Sequence, residues 1–144
     1  MNEERVDKER IAVIDDEEIM RSNCKRILER GGYGVEVYPD GASGLEGITK
    51  SQPELVIVDL KMPGLSGIEV IKRLKEKYPD IVIVVITGYA TVESAVDSMK
   101  AGAYDFLPKP FTPDEFRLIV RRALERRRLA VEAARLKREK EAME

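Results

Sequence analysis

Five short apolar runs, each closed by a polar or turn residue, constrain this chain more than any other feature. They are Ile11–Ile14 before Asp15-Asp16, Val35–Tyr38 before Pro39-Asp40-Gly41, and Leu55–Val58 before Asp59. Ile81–Ile86 before Thr87-Gly88 and Ala103–Leu107 before Pro108-Lys109-Pro110 complete the set. Runs this short, rich in β-branched residues and bounded by turn formers, read as buried strands. Helical spacing fills the intervals. Ile19, Asn23, Ile27 and Leu28 predict one apolar face. Ala42, Leu45 and Ile48 predict a second, and Ile68, Ile71 and Leu74 a third. Val92, Ala95, Val96 and Met99 predict a fourth. Thr112-Pro113-Asp114-Glu115 opens a fifth helix, with Thr at the cap, Pro at the first helical position and Glu at the third. Strict strand–helix alternation predicts an α/β fold with a mostly parallel sheet covered on both faces.

The fifth helix outruns the domain. Phe116, Ile119, Val120, Ala123 and Leu124 suit a sheet-covering face, and Glu125-Arg126-Arg127-Arg128 interrupts it. Leu129, Ala133, Leu136, Lys140 and Met143 then form a second stripe at heptad-like spacing. The reading divides the chain into a flexible N-terminus at 1–8, a domain at 9–124 and a linker or dimerisation helix at 125–144. A solvated, fraying helix is the plainer alternative for the last segment. Segment 125–144 carries seven basic and five acidic residues, so the net charge of -2 divides into +2 there and -4 before it.

Composition removes several chemistries. With no His, this chain offers no Ser-His-Asp or Cys-His catalysis and no His metal ligand. One Cys excludes an internal disulfide and any thiolate cluster. Met1 to Arg10 lacks the apolar stretch of a signal peptide, and the longest apolar run has six residues. The expectation is a cytoplasmic protein with no membrane partner.

The polar residues sit where open α/β sheets bind ligands, beyond the carboxyl ends of the strands. Asp15 and Asp16 follow the first strand, Asp59 the third, Thr87 the fourth and Lys109 the fifth. Each alone has a structural reading as a cap, turn former or surface charge. Together, carboxylates with only oxygen to offer favour a hard cation such as Mg²⁺. A cation, an amine and a hydroxyl then make a place for a phosphoryl group.

Four segments carry a family resemblance: I-A-V-I-D-D-E-E, V-I-V-D-L-K-M-P-G-L-S-G, V-V-I-T-G-Y-A and A-G-A-Y-D-F-L-P-K-P-F. Over about residues 8–124 the sequence resembles the receiver domain of bacterial two-component response regulators. The resemblance implies a doubly wound five-stranded parallel sheet in the order 2-1-3-4-5, flavodoxin-like, with five helices. It implies Asp59 as phosphoacceptor and Mg²⁺ held by Asp15, Asp16, Asp59 and the backbone carbonyl of Lys61. Thr87, Gly88 and Lys109 would contact the phosphoryl group, and Phe106 would be the aromatic switch. The Lys109–Pro110 bond would be cis. The phosphodonor would be a sensor histidine kinase or phosphotransfer protein, since this chain has no His of its own. A homodimer would form through the C-terminal helix and the face of the fourth helix, fifth strand and fifth helix.

The stretch from Thr87 to Phe111 is especially similar to receivers of NtrC-class transcription activators, in which a helical linker leads to an AAA+ ATPase. No Walker motif or helix-turn-helix occurs in these residues. A stand-alone receiver, a hybrid-kinase receiver or another output class are the alternatives. An aspartate-nucleophile phosphatase would need a second Asp two residues after Asp59, where Lys61 stands. A receiver-like module that never takes a phosphate is disfavoured by the complete acid, Thr and Lys set. Apart from its own phosphotransfer and dephosphorylation, no enzymatic activity is expected. Arg121, Arg122 and Arg126 to Arg128 lack interleaved aromatics, so direct nucleic-acid binding is not expected. Lys61 and Tyr89 flank the site two residues past Asp59 and Thr87.

Overall fold

A computed structural model describes residues 8–143. Most of the N-terminal segment 1–8, and Glu144, therefore lie outside the described residues. Strand β1 (Arg10–Ile14) leads to α1 (Glu18–Arg30), β2 (Gly34–Tyr38) to α2 (Gly41–Ser51), and β3 (Leu55–Val58) to α3 (Gly67–Lys77). β4 (Val82–Thr87), α4 (Val92–Ala101), β5 (Asp105–Pro108) and α5 (Pro113–Met143) follow. All four strand pairings are parallel, in the order β2-β1-β3-β4-β5. The fold class expected from alternation is therefore observed.

Side chains alternate across a strand, which builds two cores from one sheet. Ile11, Val13, Leu55, Ile57, Val84 and Ile86 face α1 and α5, meeting Cys24, Leu28, Phe116, Val120 and Leu124. Ala12, Ile14, Val56, Val58, Ile83 and Val85 face the other way, meeting Ile48, Val70, Ile71 and Leu74. Each large aliphatic side chain so buried contributes about 1.5–3 kcal/mol. The near-continuous apolar runs of β1, β3 and β4 follow from burial on both faces. α2 fits closely because Gly44 has no Cβ: one there would stand 2.5 Å from Ile14 Cδ1.

Three apolar faces differ from their sequence reading. α1 turns inward on Met20, Cys24, Ile27 and Leu28, while Ile19 is 77% exposed. The buried stripe starts one position past Ile19, on the side of α1 that meets the sheet face of Ile11 and Val13. In α2 the buried positions are Gly41, Gly44 and Ile48, and Ala42 is exposed. α4 departs most: only Ser98 is buried, and Val92, Val96 and Met99 point outward. α4 is held by other means. Thr91 and Ser94 form a reciprocal cap with bonds of 2.9 Å, and Gly102 ends the helix at φ 122°. β5 begins at Asp105 rather than Ala103, and the connection before it is already tied to β4 by Tyr104 N–H to Ile83 O at 2.7 Å.

α5 opens with the reciprocal cap read from the sequence. Glu115 N–H donates to Thr112 Oγ1 at 3.1 Å, and Thr112 N–H donates to Glu115 Oε1 at 2.8 Å. Its buried residues end at Leu124, yet the helix continues unbroken to Met143. Arg128 ties this continuation to Glu9 before β1 through two bonds of 3.1 Å. Among the described residues no helix is long and apolar enough to cross a membrane.

Candidate functional site

Parallel register brings the predicted residues to one edge. Ile14 pairs with Val58 and Val58 with Val85, so the next residues, Asp15 and Asp59, emerge side by side. Asp59 N–H bonds Ile14 O at 3.1 Å and Asp15 N–H bonds Tyr38 O at 3.1 Å, which extends the sheet ladder through both acids. Asp15 is wholly buried and Asp59 is 4% exposed. Thr87, also buried, ends β4 opposite Pro108, and its carbonyl accepts from Lys109 N–H at 2.9 Å. The Lys109–Pro110 bond is cis.

One ammonium joins the acids. Lys109 Nζ lies 2.9 Å from Asp15 Oδ2, 3.0 Å from Asp59 Oδ2 and 2.7 Å from Glu17 Oε1. The three carboxylates have oxygens within 4.8 Å of one another, so one cation leaves a formal excess of two negative charges. Burial, against hydrogen bonds from Glu17 N–H and Lys109, holds the Asp15 carboxyl above its ordinary range. Burial also works against the Lys109 ammonium. The bonds to Glu17, Asp15 and Asp59 more than offset it and raise its pKa. An oxygen-only cluster with surplus negative charge fits a hard divalent cation by charge and by donor type.

The remaining predicted residues divide into those at the cleft and those beside it. A cleft of about 600 Å³ is lined by Asp16, Glu17, Asp59, Lys61, Gly88, Tyr89 and Lys109. Asp16 is exposed on its wall and outside the three-acid group, where Glu17 stands instead. Lys61 N–H approaches Asp59 Oδ1 at 3.3 Å, and Lys61 Nζ sits 4.2 Å from the centre of the Tyr89 ring. A Cβ on Gly88 would meet nothing within 4 Å, so the glycine keeps the cleft open there. Thr87 Oγ1 accepts from Tyr89 N–H at 3.1 Å. Phe106 is half-buried on β5, beside Val85 in register, and packs against the α3-side core.

Three contributors escaped the sequence reading. Glu17 is the third acid on Lys109. Arg21 Nη1 donates to Asp15 O at 2.8 Å and fixes the acid's backbone. Gly67 starts α3 directly under the Asp59 loop: its N–H bonds Leu60 O at 2.9 Å, and any Cβ would strike Asp59 O. Of these only Glu17 left a signal, as the third member of Asp-Asp-Glu.

Known proteins resemble this chain in sequence and in fold. The family profile described as the response regulator receiver domain matches residues 11–135. The C4-dicarboxylate transport transcriptional regulatory protein DctD of Pseudomonas aeruginosa is 38% identical over 122 residues, covering 85% of this chain and 26% of that protein. The transcriptional regulatory protein FixJ of Bradyrhizobium diazoefficiens is 38% identical over 117 residues, covering 81% of this chain and 57% of FixJ. The chain thus spans about a quarter of the DctD relative and little more than half of FixJ. Among solved structures, NtrX from Brucella abortus in complex with ADP superposes with a TM-score of 0.86 at 34% identity. That match covers 90% of this chain and 30% of NtrX. A receiver domain protein from Clostridium thermocellum gives 0.80 at 32% identity, covering 85% of this chain and 98% of its own.

Proposed function

The chain belongs to the response regulator receiver domain family, and on that premise we propose that Asp59 accepts a phosphoryl group in a Mg²⁺-dependent reaction. The observation that carries this is the buried carboxylate pair Asp15 and Asp59 sharing one ammonium at an open cleft. Asp15, Asp16, Asp59 and the carbonyl of Lys61 would hold Mg²⁺. Bound there, the cation neutralises charge on the acids and on the phosphoryl oxygens. An Asp59 carboxylate oxygen attacks phosphorus in line; the O–P bond forms as the bond to the donor breaks, and the leaving group departs opposite. The donor is a phosphohistidine on a partner histidine kinase or phosphotransfer protein, or a small acyl phosphate. Lys109 pairs with one phosphoryl oxygen, and Gly88 leaves room and offers its N–H to another.

The new group carries about 1.5–2 negative charges, by analogy with other phosphorylated side chains. Thr87 gives up its bond to Tyr89 N–H and donates its hydroxyl to the phosphoryl group. Phe106, which has no hydroxyl, follows by packing alone and alters the surface of α4, β5 and α5. The unit at 9–124 is the receiver, and 125–144 is the connector and dimer helix. The similarity to transcriptional regulators supports control of transcription, and the resemblance to NtrC-class activators supports an attached AAA+ output. The protein acts in the cytoplasm. Intact-mass measurement after incubation with acetyl phosphate and Mg²⁺ tests the reading. One phosphoryl group is expected on the natural chain. None is expected on Asp59→Asn or with the metal chelated.

A further inference from the structure

The charged break Glu125-Arg126-Arg127-Arg128 falls where α5 leaves the domain, and its three arginines have different surroundings. Arg128 pairs with Glu9. Arg126 lines a cleft that runs from the Pro79-Asp80 turn to Gly102. Arg127 lines a separate cleft of about 280 Å³ that reaches the same turn from the end of α3. Its Nε is buried there without a hydrogen-bond partner. A buried guanidinium nitrogen left unpaired is costly and calls for an acceptor. Lys77, Asp80 and Arg127 supply the charges of this cleft, two cations against one acid. Among the described residues none of the three is in an ion pair. Pro53 and Ile81, both buried, and half-buried Tyr78 give the cleft an apolar wall.

We propose that this cleft binds a small apolar monocarboxylate. The carboxylate accepts from the Arg127 fork, spanning Nε and a terminal nitrogen, which the long side chain presents by a change of rotamer. The Lys77 ammonium is the second cation. The cleft has one positive charge in surplus, which a single carboxylate matches and a dianionic phosphate exceeds. Asp80 stands against any further negative charge. The apolar wall takes the body of the ligand. The volume keeps that body to a few carbons, since drug-sized ligands occupy about 300–1,000 Å³. Arg127 belongs to the extension of α5, while Lys77 and Asp80 belong to α3 and the turn after it. A bound carboxylate therefore fastens the extension to the domain. The inference is independent of the phosphoacceptor reading, whose residues lie at the opposite end of the sheet.

Titration of the full chain with hexanoate, followed by amide NMR, tests the site. Saturable shifts are expected at Tyr78, Asp80 and Arg127. Arg127→Gln should weaken binding about tenfold or more, because it removes a charge-assisted fork. Arg127→Lys keeps the charge without the fork and should weaken binding several-fold, as should Lys77→Gln. Amide shifts away from the cleft that match the natural chain show that each variant is folded. Hexanamide lacks the charge, inorganic phosphate lacks the apolar body, and an ends-blocked peptide with one Glu between two leucines is larger. All three should bind more weakly than hexanoate. Shifts that do not saturate, equal binding of hexanamide, or undiminished binding by Arg127→Gln would overturn the site. Tighter binding of phosphate or of the peptide would overturn the ligand class. Amide hydrogen exchange over residues 125–130 should slow with hexanoate bound, and unchanged exchange there would overturn the fastening of the extension.

Discussion

Both ends of the sheet carry charged side chains, and they use them differently. At the amino-terminal end Lys75 Nζ donates to Pro79 O and Ile81 O, both at 2.8 Å, and locks the turn before β4. Glu54 Oε1 accepts from Arg10 N–H at 2.7 Å, and Glu54 and Arg10 also join through backbone at 3.0 Å. One guanidinium nitrogen, Arg127 Nε, is the buried side-chain atom left without a partner among the described residues. At the carboxyl end three acids compete for one ammonium, two of them buried. A charge matched by backbone carbonyls is a fastener. A buried charge in excess is a cost to folding that a ligand can relieve. The difference sets an end whose Lys75 ammonium is matched by backbone carbonyls against one where three acids share a single ammonium.

Substitutions can break that contrast. The largest effect is expected for Lys109→Met, which strips the buried acids of their cation and should cost about 3–5 kcal/mol in urea unfolding without divalent metal. Added Mg²⁺ should return part of the loss. Lys75→Met should cost about 2 kcal/mol by losing two charge-assisted bonds. Here Mg²⁺ should return nothing, and equal rescue of both variants would erase the contrast. Asp59→Asn should stabilise the metal-free protein by about 1 kcal/mol, since it relieves repulsion between like charges. A loss of stability instead would mean that Lys109 fully compensates the cluster.

The smallest expected effect lies in pH. Burial holds Asp15 above the ordinary 3.8, so its contribution to stability is complete below that value and is lost as pH rises through its folded pKa. Asp40 caps α2, and bonding from Ser43 N–H holds it below 3.8. Its contribution is present above 3.8 and is lost as pH falls. Urea midpoints between about pH 3 and 7 should therefore move in opposite directions. Asp15→Asn should gain on the natural chain as pH rises, and the deficit of Asp40→Ala should shrink as pH falls. Slopes of the same sign would contradict the assignment.

Much of this was legible beforehand, for reasons the residues supply. β3 and β4 are unbroken apolar runs because both faces are covered, and such runs have few other readings. Asp15, Asp59, Thr87 and Lys109 stood out because each closes a strand, and parallel strands deliver their ends to one edge. Strand order came with the family resemblance, since nothing local fixes which strands are neighbours. Glu17 stayed hidden because its partner is 92 residues away and the bond depends on how Lys109 folds back. Gly67 was hidden because its value lies in a backbone contact with Asp59. The faces of α1 and α4 were misread because periodicity reports an apolar stripe and not what covers it. On α1 the small Cys24 takes the core and the larger Ile19 the solvent. On α4 the stripe of Val92, Val96 and Met99 turns away from the sheet altogether.

The central claim is that the charge excess at the carboxyl end makes Asp59 the residue that takes a phosphoryl group. Borohydride reduction of the acetyl-phosphate-treated chain tests it most directly, because an acyl phosphate on Asp is reduced to homoserine, which peptide sequencing places. Homoserine at position 59 alone, dependent on Mg²⁺, is the predicted result. Homoserine at position 15 or 16, or none in a chain that has gained phosphoryl mass, would contradict it.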